Sequence, residues 1–465
     1  MPQDRRQFMV SLASATLGIL PSRSNSFGEG TRAPQQAARD KTAPQDGIAL
    51  SQERAPSRRL DVALFFDVED VFSPPEVGND DSIKELATIL TEEGLRGNFL
   101  FIGDRALHLG SRGRRDVVES LAPHDVGLHT RSARHPTNPE YVAGQSWEDG
   151  VARSLDHERQ GAQNIQEVFG KPCAALSGHN VFDSPHAQRA AGILGLPFVY
   201  CYPAAPPLYS LSWYAGALGL PYTSPTLNGQ PFRAYFEFED DNYPDDEKFQ
   251  GKLQLLDEHI DLCSKESQPF LTLFLYHPQR VNLIDFIDTF WSPNGVNYPG
   301  ERWGMYGRPR RRTTEQVRTA LANFRQLARR LRHDPRLNIM TVSEVARKYG
   351  RQPDSIPREE LLAAAKAISA TEDILIHPRF SPAEMVCGLA RAVTHFGEAG
   401  QLPDAVLRPE VLGPTRSPIW HPELQVCSFQ KLTDLARRLL DHVTTSGHLP
   451  ATLGAPLERV GVNHL

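Results

Sequence analysis

ALFFDVED (residues 63–70) decides the fold. Its apolar start, Ala63 to Phe66, runs into three acids, Asp67, Glu69 and Asp70. A short apolar run closed by polar residues reads as a buried strand that delivers carboxylates at its C-terminal end. Two other stretches end in the same way. DVGLHTRSARHP (125–136) presents His129 and His135, and LTLFLYHP (271–278) presents His277. In barrels of parallel strands the C-terminal rim is where chemistry is built. A carboxylate with two histidines is a metal-ligand set, and a further histidine at the same rim is an acid/base candidate.

Between these stretches short apolar runs alternate with amphipathic ones. Strands are predicted at 61–68, 97–103, 125–130, 173–178, 198–202, 270–277 and 338–342, and helices at 81–94, 115–122, 147–169, 184–195, 245–264 and 313–332. In the first helix Ile83, Leu86, Ala87 and Leu90 share a face, Asp80 or Asp81 is placed to cap the start, and Gly94 stops it. The alternation argues for an α/β fold on a parallel sheet. Region 203–244, rich in Pro, Tyr and Trp, interrupts the rhythm and reads as an irregular insertion with strands such as FRAYFEFE (232–239).

The chain has 465 residues, which suits two domains. Apolar residues make up 40 % and charged residues 23 %, so most of it should fold. The net charge of −6 gives no basic footprint, which argues against a nucleic-acid partner. No apolar run approaches the roughly 20 residues that span a bilayer, so no membrane span is expected. The five cysteines form no C-x-x-C pair and read as single buried thiols.

Arg5-Arg6-Gln7-Phe8-Met9 ahead of the modestly apolar Val10–Leu20 resembles a twin-arginine export signal. Residues 1–25 are therefore assigned to a signal and 26–58 to a disordered linker, with a bacterial periplasmic or extracellular destination. A catalytic unit is placed at 59–349 and a mainly helical unit at 352–465. The latter carries an internal repeat, 377–403 echoing 421–450, in which Leu389-Ala390-Arg391 matches Leu435-Ala436-Arg437 and both copies end in Gly-x-Leu-Pro. Most repeated positions fall at helical spacing and read as core. The pattern also faintly resembles pseudomurein-binding repeats, which would give the unit a cell-wall contact.

In order, the three opening motifs resemble the polysaccharide deacetylase family, also called the NodB-homology or carbohydrate esterase family 4 domain. FDVED (66–70) is similar to a variant in one branch of it. The resemblance covers roughly 61–346 and implies a distorted (β/α) barrel of about seven parallel strands. It implies Asp67 as the base that takes a proton from water, and His129 and His135 as metal ligands. It implies His277 as the acid that protonates the leaving group, and a divalent metal, with zinc the first choice. The carboxylate ligand is Glu69 or Asp70. Glu69 shares a face with Asp67 on a regular strand; Asp70 serves if the strand has already turned, and the balance leans to Asp70 because Asp is the usual ligand type.

Two features depart from the family. Five residues separate His129 from His135 instead of the usual three, so a loop must bring His135 in, with His124 a spare at the wrong end of the strand. The Arg-x-Pro-Tyr motif is absent, and ALSGHN (175–180) stands there, making His179 and Asn180 substrate-pocket candidates. Downstream, FWSPNGVNYPGERW (290–303) offers Trp291 and Trp303 as a sugar platform. The expected activity is metal-dependent deacetylation of an N- or O-acetylated glycan or of a small acetylated substrate, or related amide hydrolysis. The alternatives are a non-catalytic carbohydrate-binding protein on the same fold, or a glycosidase on a related barrel. The last needs a second rim carboxylate, for which Glu237, Glu239 and Asp240 are the loose candidates.

Overall fold

The structure is a computed structural model. It describes residues 59–70, 73–132, 138–178, 184–201, 211–221, 235–265, 270–285, 309–371, 377, 379–416, 428–453 and 460–461. The signal, the linker, His135, His179, Asn180, Trp291 and Trp303 lie outside these residues.

From the first strand the chain alternates as its periodicity predicts. β1 (Leu60–Val68) leads to α1 (Asn79–Glu92), β2 (Asn98–Phe101), α2 (Gly103–Ser111), α3 (Arg115–Ser120) and β3 (Asp125–His129). Next come α4 (Asn138–Val142), α5 (Trp147–Phe169), β4 (Leu176–Ser177), α6 (Pro185–Leu194) and β5 (Phe198–Cys201). The interrupted region holds β6 (Ser212–Tyr214), β7 (Ala217–Pro221) and β8 (Tyr235–Glu237). The unit closes with α7 (Asp246–Cys263), β9 (Phe270–Tyr276), α8 (Thr314–His333), β10 (Leu337–Met340) and α9 (Val342–Tyr349).

The sheet corrects the expected barrel of about seven parallel strands. It has ten strands in the order β6-β7-β5-β4-β3-β2-β1-β9-β8, with β10 added beside β1. It curls until β7 approaches β9, but among the described residues β6 and β8 remain its edges. All pairings are parallel except β6 with β7. That hairpin turns on Ala215 and Gly216, both at positive φ (50° and 81°), the geometry of a tight two-residue turn.

β1 is the axis of the fold. Leu60–Ala63 pair with β10 and Phe65–Val68 with β2 on one side, while β9 runs along the other. Paired on both sides and covered on both faces, all nine residues are buried. Its alternation divides the core. Val62, Leu64, Phe66 and Val68 pack under the helices with Leu86, Leu90, Phe99 and Phe324. Ala63 and Phe65 point into the curl with Leu100, Ala175, Val199, Leu218, Tyr235 and Phe274. Asp67 continues this inner row.

α1 begins two residues earlier than expected. Its N-cap is Gly78, and Asp80 lies inside the first turn, buried against Arg105 rather than capping. Gly94, at φ 71°, does end it.

After α9, β11 (Ser355–Pro357) pairs antiparallel with β12 (Ala405–Leu407) around α10 (Arg358–Thr371), α11 (Pro382–Ala399) and α12 (Phe429–Ser446). α11 and α12 pack through Cys387, Ala390 and Val393 against Leu432, Leu435 and Leu439. Each starts on a serine N-cap and stops at a left-handed glycine, Gly400 and Gly447. Two residues complete a short antiparallel pair, β13 (Thr452–Leu453) with β14 (Val460–Gly461). Among the described residues no helix is long and apolar enough to cross a membrane.

Candidate metal and acid–base site

Three strand ends converge at the C-terminal rim of the curl. Asp67 and Glu69 leave β1 on its inner face, and His129 ends β3. Their ligand atoms all lie within 4.8 Å of one another. His129 Nε2 stands 3.1 Å from Glu69 Oε1 and 3.8 Å from Asp67 Oδ2. Asp67 and His129 are 7 % and 2 % exposed, so these groups face one another with little water between.

The other edge of the His129 ring shows which nitrogen faces the acids. Nδ1 lies 2.7 Å from Ser177 Oγ, whose side chain sits across the β3–β4 register from His129. Ser177 Oγ donates in turn to the Leu128 carbonyl at 3.3 Å. Nδ1 is thus engaged by Ser177, and Nε2 is the nitrogen turned towards Glu69. With Glu69 3.1 Å and Asp67 3.8 Å from Nε2, the two carboxylates favour positive charge at this edge of the ring. A second proton supplies that charge on the free protein: burial disfavours a charged His129, but Asp67 and Glu69 outweigh it and raise its pKa. A divalent metal supplies the same charge, and carboxylate oxygens with an imidazole nitrogen held by an outer hydrogen bond are its usual ligands.

Asp70 points elsewhere. It accepts from the Ser73 amide at 2.9 Å and from the Asn79 side chain, tying the segment after β1 to the start of α1. β1 ends at Val68, and the two residues after it turn their carboxylates to different partners. His124 is also placed: it is buried between Thr91, the Ala87 carbonyl and the Gly97 amide at the opposite end of β3, and burial pulls its pKa down to about 4.

His277 follows β9 and faces the group from the opposite side, its Nε2 3.8 Å from Glu69 Oε1. Asp240, just beyond β8, grips it twice, accepting from its backbone N–H and from Nδ1, each at 2.9 Å. Burial works against a charged imidazole here, yet Asp240, Glu69 and Asp67 prevail and raise the pKa to about 10. Gln279 Nε2 donates to Glu69 Oε2 at 3.4 Å, so Glu69 is held between the two histidines. Around Asp240, Arg280 approaches to 3.8 Å and pairs with Asp241, which Arg312 also holds at 2.6 Å.

Gln279 carries no motif, Ser177 stands in the sequence only as part of ALSGHN in place of the absent Arg-x-Pro-Tyr, and Asp240 only as a loose rim acid. The one sequence signal for Asp240 is the acidic run that ends FRAYFEFEDD, beside the strand that bears His277. Of the other loose acids, Glu239 is exposed and paired with Lys252. Glu237 accepts from the Tyr235 hydroxyl at 3.2 Å, and burial pushes its carboxyl pKa up.

No family model and no curated protein matches the chain. Among solved structures it is similar to a putative polysaccharide deacetylase from Mycobacterium smegmatis, with 13 % identity and a TM-score of 0.39 over 66 % of this chain and 94 % of that one. It is similar to a family 4 carbohydrate esterase from Streptomyces lividans in complex with acetate, with 14 % identity and a TM-score of 0.28 over 57 % and 86 %. It is also similar to a 4-alpha-glucanotransferase from Thermococcus litoralis, with 11 % identity and a TM-score of 0.40 over 63 % and 40 %.

Proposed function

We propose that the protein is a metal-dependent hydrolase that removes an acetyl group from an N- or O-acetylated glycan. The observation that carries this reading is the convergence of Glu69 Oε1 and His129 Nε2, 3.1 Å apart, with the Asp67 carboxylate on one flank and an Asp240-bound imidazole on the other.

Glu69 and His129 would hold a divalent metal, zinc first, with His135 as a further ligand, and the ion would supply polarisation of an acyl carbonyl and a more acidic water. Asp67 takes the proton from the attacking water as the new C–O bond forms. His277, with Nδ1 fixed by Asp240, gives the Nε2 proton to the departing nitrogen or oxygen as its bond to the acyl carbon breaks. Acetic acid and the free amine or hydroxyl result, the acid gives its remaining proton to the amine or to solvent to become acetate, and both residues return to their starting states by passing one proton from Asp67 to His277 or through solvent. His179, Asn180, Trp291 and Trp303 belong to the substrate side of this reading. The N-terminal segment exports the chain, and the repeats at 377–403 and 421–450 contact the cell wall.

The test pairs zinc titration with acetate release from N-acetylchitooligosaccharides and O-acetylated xylan, for wild type and Asp67→Asn. The expected result is one zinc per chain, acetate from one of the two substrates, and a loss of roughly 10²-fold or more in kcat for the variant. Zinc binding without acetate from either substrate overturns the deacetylase. Glycan binding that survives chelation and His129→Ala, with no acetate released, marks a binding protein instead.

A further inference from the structure

α5 buries one stripe against α2, α6 and β3, made of Gly150, Ser154, Glu158, Gly161, Asn164 and Ile165. Glu158 stands in the middle of it, 2 % exposed. A carboxylate in a packed stripe breaks the local rule that such positions are apolar, and such breaks mark functional or strained sites. Glu158 takes no part in the proton transfers proposed above.

Its two oxygens are spent on the chain just after His129. Oε1 accepts from the Thr130 hydroxyl at 3.0 Å, and Oε2 from the Arg131 amide at 3.1 Å. His157 Nδ1 lies 3.1 Å from Oε1. Thr130 has φ 56°, one of two non-glycine residues with positive φ among the described residues. A β-branched residue there is a genuine outlier and persists only where its surroundings hold it.

The rest of the turn is held as closely. The Thr130 amide donates to the Ser177 carbonyl, and the Gly103 and Asp104 amides at the start of α2 donate to the Thr130 and Arg131 carbonyls, all at 3.0 Å. The approach needs glycines. A Cβ on Gly161 would lie 3.0 Å from Arg131 Cα, and one on Gly103 would lie 3.0 Å from the Arg131 carbonyl oxygen. The left-handed step at Thr130 turns the chain immediately behind the ring that faces Glu69 and Asp67.

We propose that Glu158 is a positioning residue of the metal site: its buried carboxylate holds the left-handed turn at Thr130 and thereby sets the direction in which His129 presents Nε2. The proposal rests on reading Asp67, Glu69 and His129 as a metal centre.

The test is a double-mutant cycle read by zinc affinity, measured against a competing chromophoric chelator. Glu158→Ala and the milder Glu158→Asp, which keeps the charge but is too short to reach both groups, are made in the wild-type and Thr130→Gly backgrounds. Glycine adopts the turn unaided. In the wild-type background each variant is expected to weaken zinc binding about 10-fold to 100-fold, as loss of an outer support does. In the Thr130→Gly background the same changes are expected to cost about threefold or less. Glu158→Gln, whose amide still accepts from Arg131 and donates to the Thr130 hydroxyl, restores wild-type affinity. Equal losses in both backgrounds, or no loss in the wild-type background, overturn the proposal. Wild-type protein that binds no zinc overturns the metal centre itself, a different failure. If Glu158→Ala does not fold, Glu158→Asp decides.

Discussion

At the scale of single residues, two neighbours of like chemistry have different tasks. Glu69 and Asp70 were both open as the metal carboxylate because the choice depends on where β1 stops alternating. Glu69 reaches His129, while Asp70 braces Ser73 and Asn79. Glu69→Gln is therefore expected to weaken zinc binding by roughly tenfold or more, whereas Asp70→Asn leaves it unchanged. The latter instead lowers stability by about 1–3 kcal/mol, the cost of disturbing a buried acceptor, in urea melts. A second prediction concerns pH. His277 acts as an acid only while protonated, so activity is retained below its folded pKa and lost as pH rises through it. On the free protein that value is about 10, against an ordinary 6.5. A bound cation offsets Glu69 and Asp67 but leaves Asp240 acting, so the alkaline limb of kcat should fall between those two values. Asp240→Asn should move that limb towards 6.5, and a limb that stays in place removes Asp240 from the assignment. Sequence showed the strand-end residues because apolar runs ending in Asp or His are visible in one dimension. It did not show Asp240 gripping His277, because the two meet only through the β8–β9 pairing, 37 positions apart.

At the scale of elements, the 23-residue α5 was the most legible, since a serine N-cap and a glycine stop bracket one uninterrupted amphipathic pattern. β4 was the least, being two paired residues, Leu176 and Ser177, inside a longer apolar stretch. Its brevity hides its use, which is to set Ser177 across from His129. The hairpin of β6 and β7 was also hidden, because Ala215 in a left-handed turn carries no obvious glycine-type signal. How closely elements approach is legible only in three dimensions. Gly161 lets α5 lie against β3, since a Cβ there would stand 2.7 Å from Leu128 Cδ2 as well as 3.0 Å from Arg131 Cα. Gly161→Ala gains helix propensity, yet it must displace backbone next to the site. The overpacking term wins, and a net loss of about 1–3 kcal/mol is expected in thermal or urea unfolding. A stabilised variant would show that the helix shifts freely and that the contact does not constrain the turn.

At the scale of the whole molecule, two sets of cores divide the chain near residue 350. The inner and outer cores of the curled sheet draw on residues between Leu60 and Tyr349. The helical cores draw on residues between Ile356 and Leu453. α9 belongs to the sheet, although it follows the last strand. Val342 and Val345 fill the inner core, and Lys348 and Tyr349 meet the buried Asp61 at the start of β1. The two units face each other across a cleft of about 450 Å³ lined by Arg189 and Trp213 on one side and Glu384, Arg408, Val411, Leu412 and His448 on the other. An open cleft of mixed polarity makes a weaker joint than a shared apolar core. A chain ending after Arg351 should therefore fold, melt cooperatively and bind zinc within about threefold of the full-length protein, as expected when the deleted part is energetically independent of the site. A chain ending after Met340 should not. It strips Val342 and Val345 from the inner core and removes the Lys348 and Tyr349 partners of Asp61, leaving that carboxylate only Asn338. Circular dichroism melts and zinc titration of both truncations distinguish the cases, because the shorter one differs by a single helix that touches none of the proposed ligands. Equal folding of the two would remove α9 from the sheet unit. Loss of zinc binding in the longer one would make the helical unit part of the metal site's support.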